Sequence, residues 1–162
     1  MPPLSLCAGS LLLLANVLHH PQVAAGETPC PGDANEAAAN AGCLATDQGR
    51  LLVIAQRNGR WSIPGGTTRS GESARCTAYR ETLEETGIEM RVGAVLKVFD
   101  NGFHLFHCVP SGDITPEVNW TNLEVRAANW ALPQEIPASR WRYPKQLPEL
   151  LQMMHDLETP PQ

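Results

Sequence analysis

The chain has 162 residues, enough for one domain whose core needs no staple. Twelve Lys and Arg stand against 17 Asp and Glu, a net charge of −5, which disfavours a general nucleic-acid binder. Hydrophobic residues at 43% and charged residues at 18% exclude a disordered chain, and 13 Gly with 14 Pro predict much loop and little long helix.

Residues 1–25 contain no Asp, Glu, Lys or Arg. Leu4 to Leu18 is apolar apart from Ser5, Ser10 and Asn16. That stretch is shorter than the roughly 20 residues of a membrane span, but suits the apolar part of a secretory signal. Val23-Ala24-Ala25 offers small residues for a cut after Ala25, although no Lys or Arg precedes Leu4. A helix of a soluble protein would need burial on all sides here, and a domain this small has no obvious place for it. We read residues 1–25 as an export signal, so the expected location is periplasmic or secreted, with no membrane span after cleavage. Cys7 would leave with the signal. Cys30, Cys43, Cys76 and Cys108 remain, an even number that allows two disulfides in any of three pairings. Buried free thiols are the alternative for Cys43 and Cys108, and the lack of a CxxC element argues against zinc.

Residues 26–39 read as an irregular lead-in, and 40–158 as the folded domain. Ala41 to Thr46 and Leu51 to Gln56 are strand-like, joined by a turn at Asp47-Gln48-Gly49-Arg50. Asn58-Gly59 marks another turn. Pro64-Gly65-Gly66 predicts a loop running to Glu72. Ser73 is an N-cap candidate, and Ala74 to Thr86 a helix closed by Gly87. Ile88 to Phe99 and Phe103 to Val109 form a hairpin about Asp100-Asn101-Gly102, and Pro110 to Thr121 is loop. Glu124 to Leu132 is a further strand. Pro144 to Leu157 predicts an amphipathic helix with Leu147, Leu150, Leu151 and Met154 on one face. Strands interleaved with a central and a terminal helix imply a layered α/β domain.

The central helix carries the chemistry. At 100° per residue, Glu81, Glu84 and Glu85 share one sector about 100° wide. Like charges at this spacing repel, and near a helix C-terminus they meet the dipole with the wrong sign. A hard divalent cation such as Mg²⁺ or Mn²⁺ resolves that conflict, whereas a solvated acidic face merely tolerates it.

The upstream residues decide between these. Gly66, Glu72, Arg80-Glu81, Glu84-Glu85 and Gly87 fall at the fixed positions of G-x5-E-x7-R-E-U-x-E-E-x-G-U, where U is a bulky aliphatic residue. This resembles the Nudix box, with Thr82 the one mild departure. Trp61-Ser62-Ile63-Pro64-Gly65-Gly66 is similar to the family's lead-in. Glu124, Trp130 and Glu135-Ile136 are similar to its last strand and exit. The resemblance covers about residues 40–157. It implies an α/β/α sandwich with a mixed sheet, a catalytic helix after the Gly-rich loop, and a C-terminal helix. It further implies hydrolysis of a diphosphate in a nucleoside diphosphate linked to another moiety. Mg²⁺ would be held by Glu81, Glu84 and Glu85, with Mn²⁺ as a substitute and a carbonyl near Gly65 or Gly66 assisting. Arg80 would orient Glu81, and Glu72 would brace the loop. Glu124, rather than Glu117, matches the loop acid that could take a proton. A small-molecule diphosphate is the expected partner; a non-catalytic nucleotide-binding or interaction domain is the alternative. Trp61, Phe103, Phe106, Trp120 and Trp141 are candidates to stack on a base, though each fits a core position as well. Export favours ADP-ribose, dinucleotides or nucleotide sugars over the dNTP pool as substrates.

Overall fold

Short runs of alternating apolar residues build the scaffold. The computed structural model describes residues 37–118 and 124–159. The predicted signal, most of the lead-in and Trp120 lie outside them. In chain order the strands are β1 (Asn40–Leu44), β2 (Thr46–Asp47), β3 (Arg50–Gln56), β4 (Trp61–Ser62) and β5 (Gly65–Thr67). Helix α1 (Ala74–Thr86) follows, then β6 (Met90–Val98), β7 (Phe103–Pro110) and β8 (Val125–Ala131). Two 3-10 turns, Pro133–Glu135 and Ala138–Arg140, lead to helix α2 (Leu147–Glu158).

One sheet has the order β5-β1-β7-β6. Its β1–β7 pair is parallel and its other pairs are antiparallel, so the sheet is mixed. A second sheet is built around β3, which pairs antiparallel with β2, β4 and β8. The period-two alternation of the strands then sorts side chains between two cores. Ala41, Cys43, Leu52, Phe106 and Cys108 pack beneath Ala74, Ala78 and Tyr79 of α1. Leu44, Leu51, Val53 and Leu105 face the other way, onto Trp141 and onto Leu150 and Met154 of α2. Strands between two helical layers make the expected Nudix-type α/β/α sandwich. Each buried Leu-sized side chain contributes about 1.5–3 kcal/mol here.

Three expectations are corrected. Pro64-Gly65-Gly66 does not open a long loop, because Gly65–Thr67 pairs antiparallel with Asn40–Gly42 as β5. A Cβ at Gly65 would come within 2.7 Å of the Ala41 carbonyl and of Gly42 Cα, so glycine allows the two backbones to touch. The last helix starts at Leu147 rather than Pro144. Cys43 and Cys108 are not free thiols: a disulfide joins β1 to β7, with Cα atoms 5.4 Å apart and both residues buried. Cys76 is also a disulfide cysteine. Among the described residues no helix is long and apolar enough to cross a membrane.

Candidate active site

Helix α1 is held at both ends by its caps. Ser73 is extended, and its Oγ accepts the Cys76 N–H at 3.2 Å. Gly87 closes the helix at φ 72°, donating its N–H to Leu83 O at 2.9 Å. A Cβ there would also press on the Glu117 carbonyl, 2.7 Å away. These bounds fix which residues of α1 look toward β5.

Arg80 is buried and uses its whole guanidinium. Nε donates to Glu72 Oε1 at 2.7 Å, and Nη2 donates to Glu72 Oε2 at 2.8 Å and to Thr67 O at 3.1 Å. Nη1 donates to Glu81 Oε1 at 2.7 Å and to Glu84 Oε2 at 3.3 Å. Glu72 also accepts from the Arg69 N–H and from Thr77 Oγ1, both at 2.9 Å. The two-pronged Arg80 contact, with these neutral donors, holds the Glu72 carboxyl at about 2. Glu72 in turn holds the Arg80 guanidinium above its ordinary range. The loop, β5 and α1 are thus locked together through one cation.

The three helix glutamates share a cleft but sit at different depths. Glu85 is 5% exposed, and its Oε2 accepts the Gly65 N–H at 2.8 Å. Burial pushes its carboxyl up to about 8; the Gly65 bond opposes this, and repulsion from Glu81 and Glu124 adds to it. The Glu81 side chain is 17% exposed, and burial raises its carboxyl against the pull of Arg80. It rests on Gly66, where a Cβ would lie 2.4 Å from Glu81 Cδ, so only glycine leaves room for the carboxylate. The Glu84 side chain is 43% exposed and reaches Arg69 Nη2 at 3.0 Å.

The cleft measures about 900 Å³. Arg80, Glu81, Glu84, Glu85, Glu124, Gly65 and Gly66 all line it, so the structure brings these expected residues together. Glu117 does not line it; its N–H donates to Thr86 O beyond the helix end. Carboxylates and backbone carbonyls are the donors a hard divalent cation takes, and their mutual repulsion in a buried site calls for positive charge. Among the described residues no three His, Cys, Asp or Glu are gathered tightly enough to hold an ion as they stand. Arg80 and Arg69 balance Glu81 and Glu84 instead. The donor set fits a hard divalent cation in chemistry, and such a cation would share these carboxylates with Arg80.

Of the stacking candidates, Phe103 and Trp141 line the cleft, and Trp141 is almost wholly buried. Phe106 belongs to the core under α1, and Trp61 packs against the other core. The sequence reading missed Asn40, Arg69, Asn101, Arg142, Tyr143 and Gln146 on the cleft wall. Tyr143 is 45% exposed, with the Arg142 guanidinium 5.2 Å from its ring centre. No motif marks these residues; a charged-aromatic pair ahead of a terminal helix was the one available signal.

The family model for the NUDIX domain matches residues 36–153. The chain belongs to the Nudix family. It is 35% identical over 102 residues to a MutT-like protein of Streptomyces ambofaciens, covering 59% of this chain and 64% of that one. It is 39% identical over 77 residues to nucleoside diphosphate-linked moiety X motif 6 of Xenopus laevis, covering 45% and 36%. The chain thus spans less than two thirds of the length of these relatives. Among solved structures, an ADP-ribose pyrophosphatase from Streptococcus suis 89-1591 superposes with a TM-score of 0.59 at 18% identity, over 71% of this chain and 90% of that one.

Proposed function

We propose that the protein is a Mg²⁺-dependent hydrolase that splits the diphosphate of a nucleoside diphosphate linked to another moiety. The observation that carries this reading is the convergence of Glu81, Glu84, Glu85 and Glu124 on one cleft, with Arg80 clamping Glu81. A divalent cation, when bound, neutralises phosphate oxygens and acidifies water. Glu81, Glu84 and Glu85 would hold it, assisted by a carbonyl of Gly65 or Gly66. Arg80 keeps Glu81 aimed, and Glu72 keeps Arg80 in place. Water attacks one phosphorus while the bond from that phosphorus to the bridging oxygen breaks. The water proton passes to a cleft carboxylate, Glu124 or Glu81. The bridging oxygen leaves on the other phosphate.

Export is part of the proposal. The Cys43–Cys108 disulfide supports an oxidising compartment, and with it substrates such as ADP-ribose, dinucleotides or nucleotide sugars. The test is a panel of these diphosphates with Mg²⁺, with Mn²⁺ and with excess chelator. Turnover of at least one, abolished by chelator and restored by metal, is expected. Turnover that survives chelation would overturn the metal role, and binding without turnover would favour a non-catalytic domain.

A further inference from the structure

The chain has five cysteines, and the fold pairs two of them with each other: Cys43 and Cys108 join β1 to β7 inside the core. Cys76 is disulfide-bonded as well. Within the chain its partner is therefore Cys7 or Cys30. Cys7 falls in the predicted export signal and leaves with it. In the exported chain the remaining partner is Cys30, in the lead-in.

The position of Cys76 suits that partner. It lies in the first turn of α1, about 200° around the helix from Ala74, outside the core that Ala74 and Ala78 join, and it is half-buried. Its N–H is held by the Ser73 cap. The chain enters the sheet close by: Ala38 packs against the core cluster of Ala74, Ala78 and Tyr79, and Ala39 O accepts the Thr68 N–H at 3.1 Å. The stretch from Cys30 to Ala38 has a reach of about 26 Å at full extension. A helix with its side chains is about 10–12 Å across, so this reach is enough to bring Cys30 around α1 to Cys76.

We infer that Cys76 is bonded to Cys30, so that the lead-in of the exported chain is stapled to the first turn of the catalytic helix. The inference rests on the export reading and is independent of the hydrolase reading. The bond forms as two thiols give up two protons and two electrons to a disulfide-bearing oxidant of the export compartment, which becomes a dithiol. The loop it closes contains β1 to β5 and also Cys43, so the two disulfides interlock. The stapled turn carries Thr77, whose Oγ1 donates to Glu72 Oε2 at 2.9 Å, and Glu72 anchors Arg80. The two bonds differ in access. Cys43 and Cys108 are shut in the core, whereas Cys76 is half-buried, so an attacking thiolate reaches Cys76 first. The outer staple is the reducible one.

The test is a disulfide map of the exported protein. Trypsin with a Glu-specific protease, without reductant, separates Cys30 from Cys43 at Glu36 and releases Cys76 to Arg80 as one peptide. A species linking the Cys30 peptide to the Cys76 peptide is expected, beside one linking Cys43 to Cys108. With graded reductant and then alkylation, Cys30 and Cys76 should be labelled together, at a reductant concentration about 10-fold or more below the one that labels Cys43 and Cys108. Cys30→Ser, Cys76→Ser and the double variant should each lower the thermal midpoint by the same amount, roughly 5–10 °C, because each removes the same bond. The map and the labelling use the wild-type chain, so they decide the matter even where a variant does not fold. Cys76 linked to Cys7 or to a second copy, Cys30 and Cys76 free beside a closed Cys43–Cys108 bond, or additive shifts in the double variant would overturn the pairing. Four free thiols would overturn the pairing and the export reading together. None of these outcomes is read from turnover, so failure here leaves the hydrolase reading standing.

Discussion

Arg80 has more partners than any other side chain of the site, and Glu72 is its anchor. Arg80→Ala strands two partly buried carboxylates, so a loss of about 1–3 kcal/mol is expected by denaturant unfolding. The Mg²⁺ requirement for turnover should also rise by about 10- to 100-fold, as when an outer partner of a ligand is removed. Arg80→Lys should recover only part of either, because an ammonium cannot make the two-pronged contact. Superimposed Mg²⁺ titrations for wild type, Ala and Lys would contradict the clamp. Glu72 gives a pH signature. Its folded carboxyl sits at about 2, against an ordinary 4.5. Its stabilisation is therefore complete above about pH 4.5 and lost as pH falls from there through about 2. The stability gap between wild type and Glu72→Gln should be wide at pH 7 and narrower at pH 3. A gap equal at both values would contradict this ion pair.

At the scale of elements, the disulfide offers the sharpest test. It ties β1 to β7 across a sequence separation of 65. Cys43→Ala/Cys108→Ala should cost about 2–4 kcal/mol while turnover of the folded protein persists, since neither residue lines the cleft. Unchanged unfolding with and without reductant would contradict its role. Helix α1 was fully legible in the sequence because its caps are local: Ser73 and Gly87 act within one turn of the helix. β5 was not legible, because Gly65 and Gly66 pair through backbone alone and leave no side-chain pattern. Helical spacing placed Glu81, Glu84 and Glu85 in one sector. Their depths were not readable, because what buries Glu85 is β5, packed against α1. Arg142 and Tyr143 escaped for a similar reason, since a long-range backbone contact with Trp61 brings their segment to the cleft.

For the whole molecule, the acidic cleft fits the proposed hydrolysis of a diphosphate, and the buried disulfide fits the proposed export. If residues 1–25 are an export signal, protein recovered from cells should begin near Gly26, and its mass should be four hydrogens below the fully reduced chain from that residue. Intact Met1 protein with four free thiols in a cytoplasmic fraction would contradict export. The central claim is that Glu81, fixed by Arg80 on the glycine cradle, serves a metal-dependent attack of water on a diphosphate. The most direct measurement is kcat of Glu81→Gln beside wild type, on a diphosphate that wild type cleaves with Mg²⁺, with thermal unfolding recorded on the same samples. A loss of roughly 10²-fold or more in kcat with the fold retained is expected; a folded Glu81→Gln that turns over at the wild-type rate would rule out this role for Glu81.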